Sequence, residues 1–379
     1  MTGQEGRAQQ VLRNLLGEHG VQGTMVPIDE DALVRTPYYQ PGTLGYHERP
    51  NLVATLRGRG QQRGLLLNSH IDVVTPGDPA PWQADPWSGR HSGGRIYGRG
   101  AADAKGCVWA AALAVVALAA TDADLRGDIV LESVVDEEET GNGTLELCRR
   151  GHHVAGAVVL EPTDFHVCYG HRGVLTLQLT VPGQAGHGAT RDGVNAIVKA
   201  APLISAIDAL NDDPRGRLNE LYAPVTVNIG AISGGIEPYT IAPSCTLTCT
   251  VRYPPGAADA VLALLHECAQ ETAAGDVWLV QHPPRWTTLS ASEAAHTDPS
   301  TPFVAQVLHA FGEVRPIGPA GTFPATCDAR HLTALEHIPT IIFGPGELRA
   351  AHTVNESIDV DHVLAAAMML VHLAVACCS

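Results

Sequence analysis

The sequence predicts an α/β protein, a mostly parallel sheet covered by helices, with a smaller ferredoxin-like domain inserted into it. Over residues 1–172, short and continuously apolar strands alternate with helical stretches, which is typical of parallel strands buried on both faces. From residue 173 the rhythm changes to the order β-α-β-β-α-β, and helical and parallel-strand signals return after residue 285. We therefore expect a two-part catalytic domain (1–172 and 285–379) interrupted by a lid (173–284).

Each predicted element follows from its residue pattern. Apolar residues at helical spacing, Ala-rich runs and β-rich runs bounded by Gly or Pro indicate the elements of the first part. They are a helix at 7–19, strands at 50–58 and 64–74, a helix at 107–120, a strand at 128–135, a helix at 144–150 and a strand at 155–162. The inserted part is predicted as strands at 174–181, 225–232 and 245–253, helices at 193–211 and 258–273, and a final strand VWLVQH at 277–282. A helix at 301–312 and a strand at 339–346 complete the pattern.

Composition and apolar patterning indicate the kinds of partner and the cellular compartment to expect. The 379 residues carry a formal net charge of −16, which disfavours nucleic acid and anionic membranes. The nine cysteines are an odd number, scattered and without a C-x-x-C pair, as expected of reduced thiols in the cytoplasm. The N-terminus does not have the pattern of a signal peptide. The apolar stretch at 363–378 is too short for a membrane span and predicts a buried last helix, so we expect a cytoplasmic protein.

Polar residues follow the predicted strands at the edge where parallel sheets bind ligands. They are His70, Asp136–Glu139, Glu161 and His352, and Asp103 stands at the start of the Ala-rich helix. Each has a simple structural interpretation on its own: a core histidine, a solvated acidic loop, a strand terminus, a surface loop residue and a helix N-cap. Their convergence at one sheet edge favours a shared chemical site instead.

Two histidines, one aspartate and two glutamates provide nitrogen and oxygen ligands for a pair of divalent cations. Zinc, cobalt or manganese would suit this set, with one carboxylate shared between them. Such a pair, about 3.5–4 Å apart, turns the repulsion within the run DEEE into ligation. Motifs of other hydrolase and nucleotide-binding classes are missing: a P-loop, a G-x-S-x-G elbow and H-E-x-x-H.

The segments SHIDVV, GRGAADAKG, DEEETGNG, LEP and AHTVNES resemble a known family of dinuclear zinc metallohydrolases. This family contains acetylornithine deacetylase, succinyl-diaminopimelate desuccinylase, aminoacylase and glutamate carboxypeptidase. The resemblance covers nearly the whole chain, including the insertion. It implies a zinc-exopeptidase-like catalytic domain and a lid through which the protein forms a homodimer.

The resemblance also implies the metal ligands. Asp103 would be the bridging carboxylate, His70 and Glu161 would complete one metal site, and Glu138 and His352 would complete the other. The implied cofactor is two divalent metal ions, Zn²⁺ above all, with Co²⁺ or Mn²⁺ as alternatives.

Three further residues acquire catalytic roles by resemblance. Glu137 would be the general base that deprotonates the bridging water and then protonates the leaving amine. Asp72 would orient the imidazole of His70. His187, in GQAGHGA, would reach the carbonyl oxygen of the substrate, commonly from the partner subunit; its alternative interpretation is an exposed turn histidine.

Arginines at family positions would hold a substrate carboxylate by bidentate hydrogen bonds. These are Arg172, Arg252 and Arg330, with Thr326 in the same TCDAR segment as Arg330, whereas Arg252 could instead be an exposed strand residue. Desuccinylases carry Asn-Val-Ile-Pro before the strand of the Arg252 equivalent. This chain has the segment TIAP at 240–243, which favours the acetylornithine deacetylase-like branch.

These observations lead to one main hypothesis of function. The protein would be a metal-dependent amidohydrolase that removes an acetyl or formyl group from an amino acid or related small amine. A dipeptidase or carboxypeptidase that releases a C-terminal amino acid is the alternative within the same class. A metal-dependent binding protein without catalysis is the alternative from another class, and the presence of Glu137 argues against it.

Overall fold

The chain divides into two compact units in the computed structural model, which describes residues 3–121, 123–190 and 192–379. The larger unit comprises the chain up to Gly170 and again from Ala295, and the smaller unit is His171–Ala294. The larger unit is therefore built from two segments that are separated in the sequence.

Helices and strands alternate along the chain. The helices are α1 (Glu5–Glu18), α2 (Glu30–Leu33), α3 (Gly106–Ala120), α4 (Asn142–Arg150), α5 (Ala196–Ala209), α6 (Ala258–Ala274), α7 (Val277–Gln281), α8 (Pro302–Gly312), α9 (Ala329–Leu335) and α10 (Val360–Cys378). The strands are β1 (Gly23–Val26), β2 (Asn51–Leu56), β3 (Gln62–His70), β4 (Arg90–Ser92), β5 (Arg95–Tyr97), β6 (Gly127–Val134), β7 (Val154–Val159), β8 (Cys168–His171), β9 (Gly173–Pro182), β10 (Thr226–Gly234), β11 (Ser244–Tyr253), β12 (Arg285–Ser292), β13 (Ala295–His296), β14 (Gly321–Phe323), β15 (Thr340–Ile342) and β16 (Ser357–Asp359).

The main sheet of the larger unit has the order β1-β2-β6-β3-β7-β15-β8-β13, with β14 beside β8. Its four central strands, β6, β3, β7 and β15, pair in parallel, whereas β1, β2 and β8 pair antiparallel. The predicted mostly parallel sheet is confirmed. The four parallel strands end at one edge, and this edge carries the polar residues.

The continuous apolar run of β3 is explained by cores on both faces of the sheet. Leu65 and Leu67 belong to one core, which includes residues of α1, α3, α8 and α10. Leu66, between them, belongs to a second core that includes Leu332 of α9. All three leucines of β3 are fully buried, so no polar residue alternates with them.

Two helical segments, Ala101–Ala120 and Val360–Cys378, are long and apolar enough to cross a membrane by length and composition alone. In the larger unit they are packed on each other, and 67% and 39% of the respective apolar windows are buried inside the protein. Both contribute side chains to the first core, for example Val115 and Leu370. The predicted last helix is present as α10, capped by the side chain of Asp359, but it is only partly buried because one face remains exposed.

The smaller unit is an antiparallel sheet of order β10-β11-β9-β12 with helices α5 and α6. This order and the element sequence β9-α5-β10-β11-α6-β12 are those of the predicted ferredoxin-like module, which is confirmed. Along β9 buried and half-buried residues alternate strictly, with Leu175, Leu177, Leu179 and Val181 in the core. One face of the sheet is therefore covered by helices.

The prediction of a final strand at 277–282 is wrong. These residues form helix α7, because the side chain of Asp276 accepts hydrogen bonds from the backbone N–H groups of Trp278 and Leu279 and caps a helical turn. The indole of Trp278 stacks on His282 with ring centroids 3.8 Å apart. The last strand is β12, whose residues are mostly exposed and therefore show no apolar alternation.

Candidate metal centre

The five predicted metal ligands all belong to the larger unit, at or after the carboxyl ends of its central strands or in the loop before α3. His70 is the last residue of β3, and Glu138 and Glu161 follow β6 and β7. His352 lies in the segment between β15 and β16, and Asp103 precedes α3. The parallel arrangement brings these separate segments to one edge of the sheet.

His70, Asp103 and Glu161 form the first ligand group. One ligand atom from each lies within 4.8 Å of the others, and all three residues are buried. The His70 Nε2 atom is 3.0 Å from Asp103 Oδ1 and 4.0 Å from Glu161 Oε2. A nitrogen and two carboxylate oxygens thus face one point.

Asp103, Glu138 and His352 form the second ligand group, again within 4.8 Å. His352 Nε2 is 3.0 Å from Glu138 Oε2 and 3.4 Å from Asp103 Oδ2. The two carboxylate oxygens of Asp103 therefore face different histidines, Oδ1 toward His70 and Oδ2 toward His352. This is the geometry a carboxylate needs to bridge two cations.

The carboxylates of the cluster carry negative charge that no lysine or arginine in the described part of the chain neutralises. Among the described residues, no lysine or arginine forms an ion pair with Asp103, Glu137, Glu138 or Glu161. Burial raises the pKa of Glu137 and Glu161 well above the usual range, and the neighbouring carboxylates raise it further. Divalent cations fit this site, since they would offset both the burial and the repulsion.

Asp72 connects the end of β3 to the acidic run. Its Oδ1 and Oδ2 atoms accept hydrogen bonds from the backbone N–H groups of Glu137 and Glu138, at 3.2 and 3.1 Å. Burial would raise the pKa of Asp72, but these bonds and the contact with His70 outweigh it and lower the pKa. The His70 Nδ1 atom is 3.2 Å from the Asp72 carbonyl oxygen and 3.6 Å from its carboxylate. Asp72 thus holds both the imidazole and the two glutamates in place.

The outer acids of the run have different environments. Asp136 is buried and has a positive φ of 69°, and its carboxylate accepts hydrogen bonds from Tyr46, Thr140 and Arg49. Glu139 accepts a hydrogen bond from the backbone N–H of Thr43 at 2.7 Å. Both side chains anchor the loop to its neighbours, which leaves Glu137 and Glu138 to face the cluster.

Glu356 is a residue of this centre that the sequence reasoning missed. It is 1% exposed and stands in the AHTVNES segment, four positions after the histidine, so its signal was present in the sequence. Its carboxylate accepts hydrogen bonds from the guanidinium of Arg99 at 2.7 Å and from the backbone N–H groups of Gly100, Ala102 and Asp103 at 3.0, 2.9 and 3.1 Å. Glu356 therefore fixes the loop that presents the shared aspartate.

Arg330 and Thr326 belong to the larger unit, around the start of α9. The guanidinium of Arg330 is buried and donates to the carbonyl oxygens of Thr140 and Cys327, at 2.9 and 3.1 Å. It lies 3.7 Å from Asp328 Oδ1. Two N–H groups of Arg330 are thus bound by backbone oxygens, and one of these belongs to Thr140, directly after the acidic run. Thr326 is half-buried in the loop before α9.

His187, Arg172 and Arg252 belong to the smaller unit. His187 is exposed, and its Nδ1 atom accepts a hydrogen bond from the backbone N–H of Ala189 at 3.1 Å, so Nε2 carries the ring proton. Arg172 donates to the carbonyl oxygen of Pro224 at 2.8 Å, and burial and the nearby Arg252 lower its pKa. The Arg252 Nη1 atom is buried without a hydrogen-bond partner, and no carboxylate among the described residues forms an ion pair with either arginine.

A parallel sheet whose carboxyl edge gathers two overlapping ligand groups defines an α/β metallohydrolase. The sequence model of the Peptidase family M20/M25/M40 matches residues 66–376, and the chain belongs to this family. The predicted relationship to the deacetylases and desuccinylases is confirmed. The predicted class of activity is confirmed as well: metal-dependent hydrolysis of the amide bond that joins an N-acyl group to an amine.

Relatives of known name support this assignment. The N-formyl-4-amino-5-aminomethyl-2-methylpyrimidine deformylase of Bacillus subtilis is 29% identical over 362 residues, which cover 88% of this chain and 84% of that protein. Acetylornithine deacetylase of Proteus mirabilis is 31% identical, covering 82% and 78%. The crystal structure of a tripeptidase from Staphylococcus aureus is 20% identical and has the same fold, with a TM-score of 0.76 and coverage of 99% and 94%.

Proposed function

We propose that the protein removes a small N-acyl group, formyl or acetyl, from an amine that carries a carboxylate, with two divalent metal ions as cofactor. The observation that carries this proposal is the pair of overlapping ligand groups with Asp103 in both and Glu137 beside them. His70, Asp103 and Glu161 would hold one ion, and Asp103, Glu138 and His352 the other. Zinc suits these ligands best, and cobalt and manganese are alternatives.

The bound ions would polarise the acyl carbonyl and lower the pKa of a water molecule between them. Glu137 is proposed to take the proton from this water and to pass it to the leaving amine. Two contacts support this role: Glu137 Oε2 lies 4.0 Å from His70 Nε2, and the backbone N–H of Glu137 donates a hydrogen bond to Asp72. Asp72 is proposed to keep the imidazole of His70 oriented.

His187 is proposed to stabilise the negative charge that develops on the carbonyl oxygen. The hydrogen bond that its Nδ1 atom accepts leaves an N–H group on Nε2 as a donor. An imidazole with this tautomer and an exposed position suits that role.

The arginines favour a substrate with a carboxylate. Arg172 and Arg252 are neighbouring guanidinium groups, and a buried Nη1 of Arg252 has no hydrogen-bond partner. An anionic substrate group would relieve both the repulsion and the missing hydrogen bond. The name of the Bacillus subtilis deformylase describes a substrate without a carboxylate. The pair Arg172 and Arg252 instead supports an N-formyl or N-acetyl amino acid as the substrate of this protein. Arg330 and Thr326 are also proposed to bind substrate.

An exopeptidase that releases a C-terminal amino acid is the second candidate function. The same arginine pair would suit the C-terminal carboxylate of a peptide. The two candidates differ in the acyl part of the substrate, which is a one- or two-carbon group in the first and an aminoacyl group in the second.

A substrate panel tests the proposal. The purified protein, loaded with zinc, cobalt or manganese, would be assayed on N-formyl, N-acetyl and N-succinyl amino acids, dipeptides and the formylated aminopyrimidine. We expect turnover of a formyl or acetyl amino acid that chelation abolishes and metal restores. Preference for dipeptides would support the second candidate, and no hydrolysis of any amide would leave a metal-dependent binding protein.

We further propose a cytoplasmic homodimer formed through the smaller unit. Its edge strand β10 and the following loop expose Ile232, Ile236 and Tyr239 to 56%, 79% and 77%. Unpaired edge strands with apolar side chains are prone to pair with a second chain. All nine cysteines are free thiols, which suits a reducing compartment. Analytical ultracentrifugation of the wild type and of an Ile236→Lys variant would test the dimer.

A further inference from the structure

A second cluster of metal-ligating side chains lies in the larger unit, away from the centre described above. It consists of Cys148 in the last turn of α4, His152 after that helix, and Glu336 after α9. One ligand atom from each lies within 4.8 Å of the others. His152 precedes β7 whereas Glu161 follows it, so the six residues of the strand, roughly 20 Å, separate this cluster from the catalytic edge.

The surroundings of His152 prepare it as a ligand. Its Nε2 atom is 2.8 Å from Glu132 Oε1, and the other oxygen of Glu132 accepts a hydrogen bond from Asn68 at 3.0 Å. The Nδ1 atom lies 2.5 Å from Glu336 Oε1, a distance at which Nδ1–H donates to this carboxylate, so without a cation the ring is protonated on both nitrogens. Release of the Nδ1 proton would leave a lone pair for a cation beside Glu336, while Nε2–H remains bound to Glu132. Carboxylate, imidazole and cation in a row is a common arrangement around protein-bound zinc.

The charge balance of the cluster also favours a cation. The side chains of Glu132 and Glu336 are 2% and 14% exposed, and the only ion pairs they form among the described residues are with His152. One imidazolium at most therefore faces two largely buried carboxylates. A net negative charge remains on side chains that are largely withdrawn from water, and a divalent ion would offset it.

We propose that Cys148 Sγ, His152 Nδ1 and a carboxylate oxygen of Glu336 bind a third divalent ion, zinc by preference, at a structural site. The Cys148 thiol and the Nδ1–H group of His152 each release a proton to solvent when the sulfur–metal and nitrogen–metal bonds form, and water completes the four ligands. The ion joins the end of α4 to the end of α9. These helices begin beside the acidic run and beside Asp328, so the ion stiffens the framework behind the catalytic loops.

Cobalt substitution distinguishes this site from the catalytic one. The catalytic ligand groups contain nitrogen and oxygen only, so a thiolate-to-cobalt charge-transfer band in the near ultraviolet can arise only where a cysteine binds. We expect the full-length wild type, stripped of metal and titrated with Co²⁺, to develop this band and to retain a third metal equivalent after dialysis. A wild type without the band and without a third equivalent would overturn the proposal and leave His152 as an imidazolium between two carboxylates.

Variants assign the ligands. Cys148→Ser and His152→Gln should each lose the band and one metal equivalent, whereas Cys168→Ser, at a buried free thiol of the same unit, should keep both. Circular dichroism would establish that each variant is folded. Glu138→Ala should keep the band even though it loses catalytic metal, so the result does not depend on the proposed function. A band that persists in folded Cys148→Ser would contradict the assignment.

Discussion

At the scale of single residues, the acidic run 136–139 shows how neighbouring carboxylates acquire different roles. The carboxylate of Asp136 accepts hydrogen bonds from a tyrosine, a threonine and an arginine, and that of Glu139 accepts one from a backbone N–H group. Glu137 and Glu138 have their backbone N–H groups fixed by Asp72 and their side chains directed at the two histidines. Repulsion within the run is reduced because its members point into separate environments.

The Glu137→Ala variant should lose turnover by about 10²- to 10⁴-fold, because it removes the carboxylate that is proposed to accept the proton of the attacking water. Metal content should remain that of the wild type, since Glu137 belongs to neither ligand group. Steady-state kinetics and metal analysis of the same preparation measure both. Glu139→Gln is the matched control and should change turnover little. A fully active Glu137→Ala enzyme would refute the role of base.

The proximity of the five proposed metal ligands could be predicted from the sequence, because each residue stands at a strand end or in a loop whose position the sheet dictates. Glu356 stands in the AHTVNES segment, but its role does not follow from that position, because the role consists of hydrogen bonds to backbone N–H groups of a loop far away in the sequence. Residue types alone do not show which backbone groups a carboxylate will meet. The same holds for the backbone engagement of Arg330.

At the scale of elements, the loop from Arg99 to Asp103 depends on Glu356. The Glu356→Gln variant leaves Arg99 buried without its ionic partner and removes one acceptor oxygen. We expect a loss in the free energy of unfolding of about 3 kcal/mol or more, together with lower metal content because Asp103 is shared by both ligand groups. Urea denaturation and metal analysis provide the measurements.

Glu347→Gln is the comparison for that variant. Glu347 pairs with Arg349 at the surface, where ion pairs contribute at most about 1 kcal/mol. Equal stability losses in the two variants would show that Glu356 is no more than another ion-pair partner.

Strand β7 provides a test of packing between the sheet and α8. A Cβ atom at Gly156 would lie 2.4 Å from ring carbons of Phe303, which is buried. Gly156→Ala should therefore lower the free energy of unfolding by about 1–3 kcal/mol through overpacking. Gly17→Ala in α1, where a Cβ meets nothing within 4 Å, should be neutral or stabilising by about 0.5–1 kcal/mol. Thermal melts of both variants would reveal the contrast, and similar melting temperatures would contradict it.

Elements with two buried faces or strict alternation were predictable, as β3 and β9 show. Helix α7 and strand β12 were not, since the apolar run 277–280 is only four residues long and one aspartate cap decides its conformation. The edge strand β12 buries too little to leave an apolar pattern. The three-residue strands β4, β5 and β16 are likewise too short to carry a periodic signal.

At the scale of the whole molecule, the insertion was predictable because the two units have different strand periodicities. In the proposed homodimer, His187 could act in its own subunit or in the partner subunit. Mixing inactive His187→Ala and Glu137→Ala subunits answers this. If His187 acts across the dimer, random reassociation should restore about a quarter of wild-type activity, since half of the dimers are mixed and one of their two sites is intact.

Activity that stays at the level of the separate variants would place His187 in its own subunit. Reassociation of His187→Ala subunits with each other is the control, and it should restore nothing. Mixed dimers can be verified with two affinity tags, so a negative result is not a failure of subunit exchange.

The position of β15 within the main sheet has a consequence for biosynthesis. β15 lies between β7 and β8, yet the ribosome makes it well over a hundred residues after them, and α10 comes later still. The smaller unit is complete once Ala294 has emerged and can fold while translation continues. In the larger unit, one edge of β7 lacks its partner strand until β15 has been made, so this unit, which carries the candidate metal centre, exposes an unpaired strand edge during synthesis.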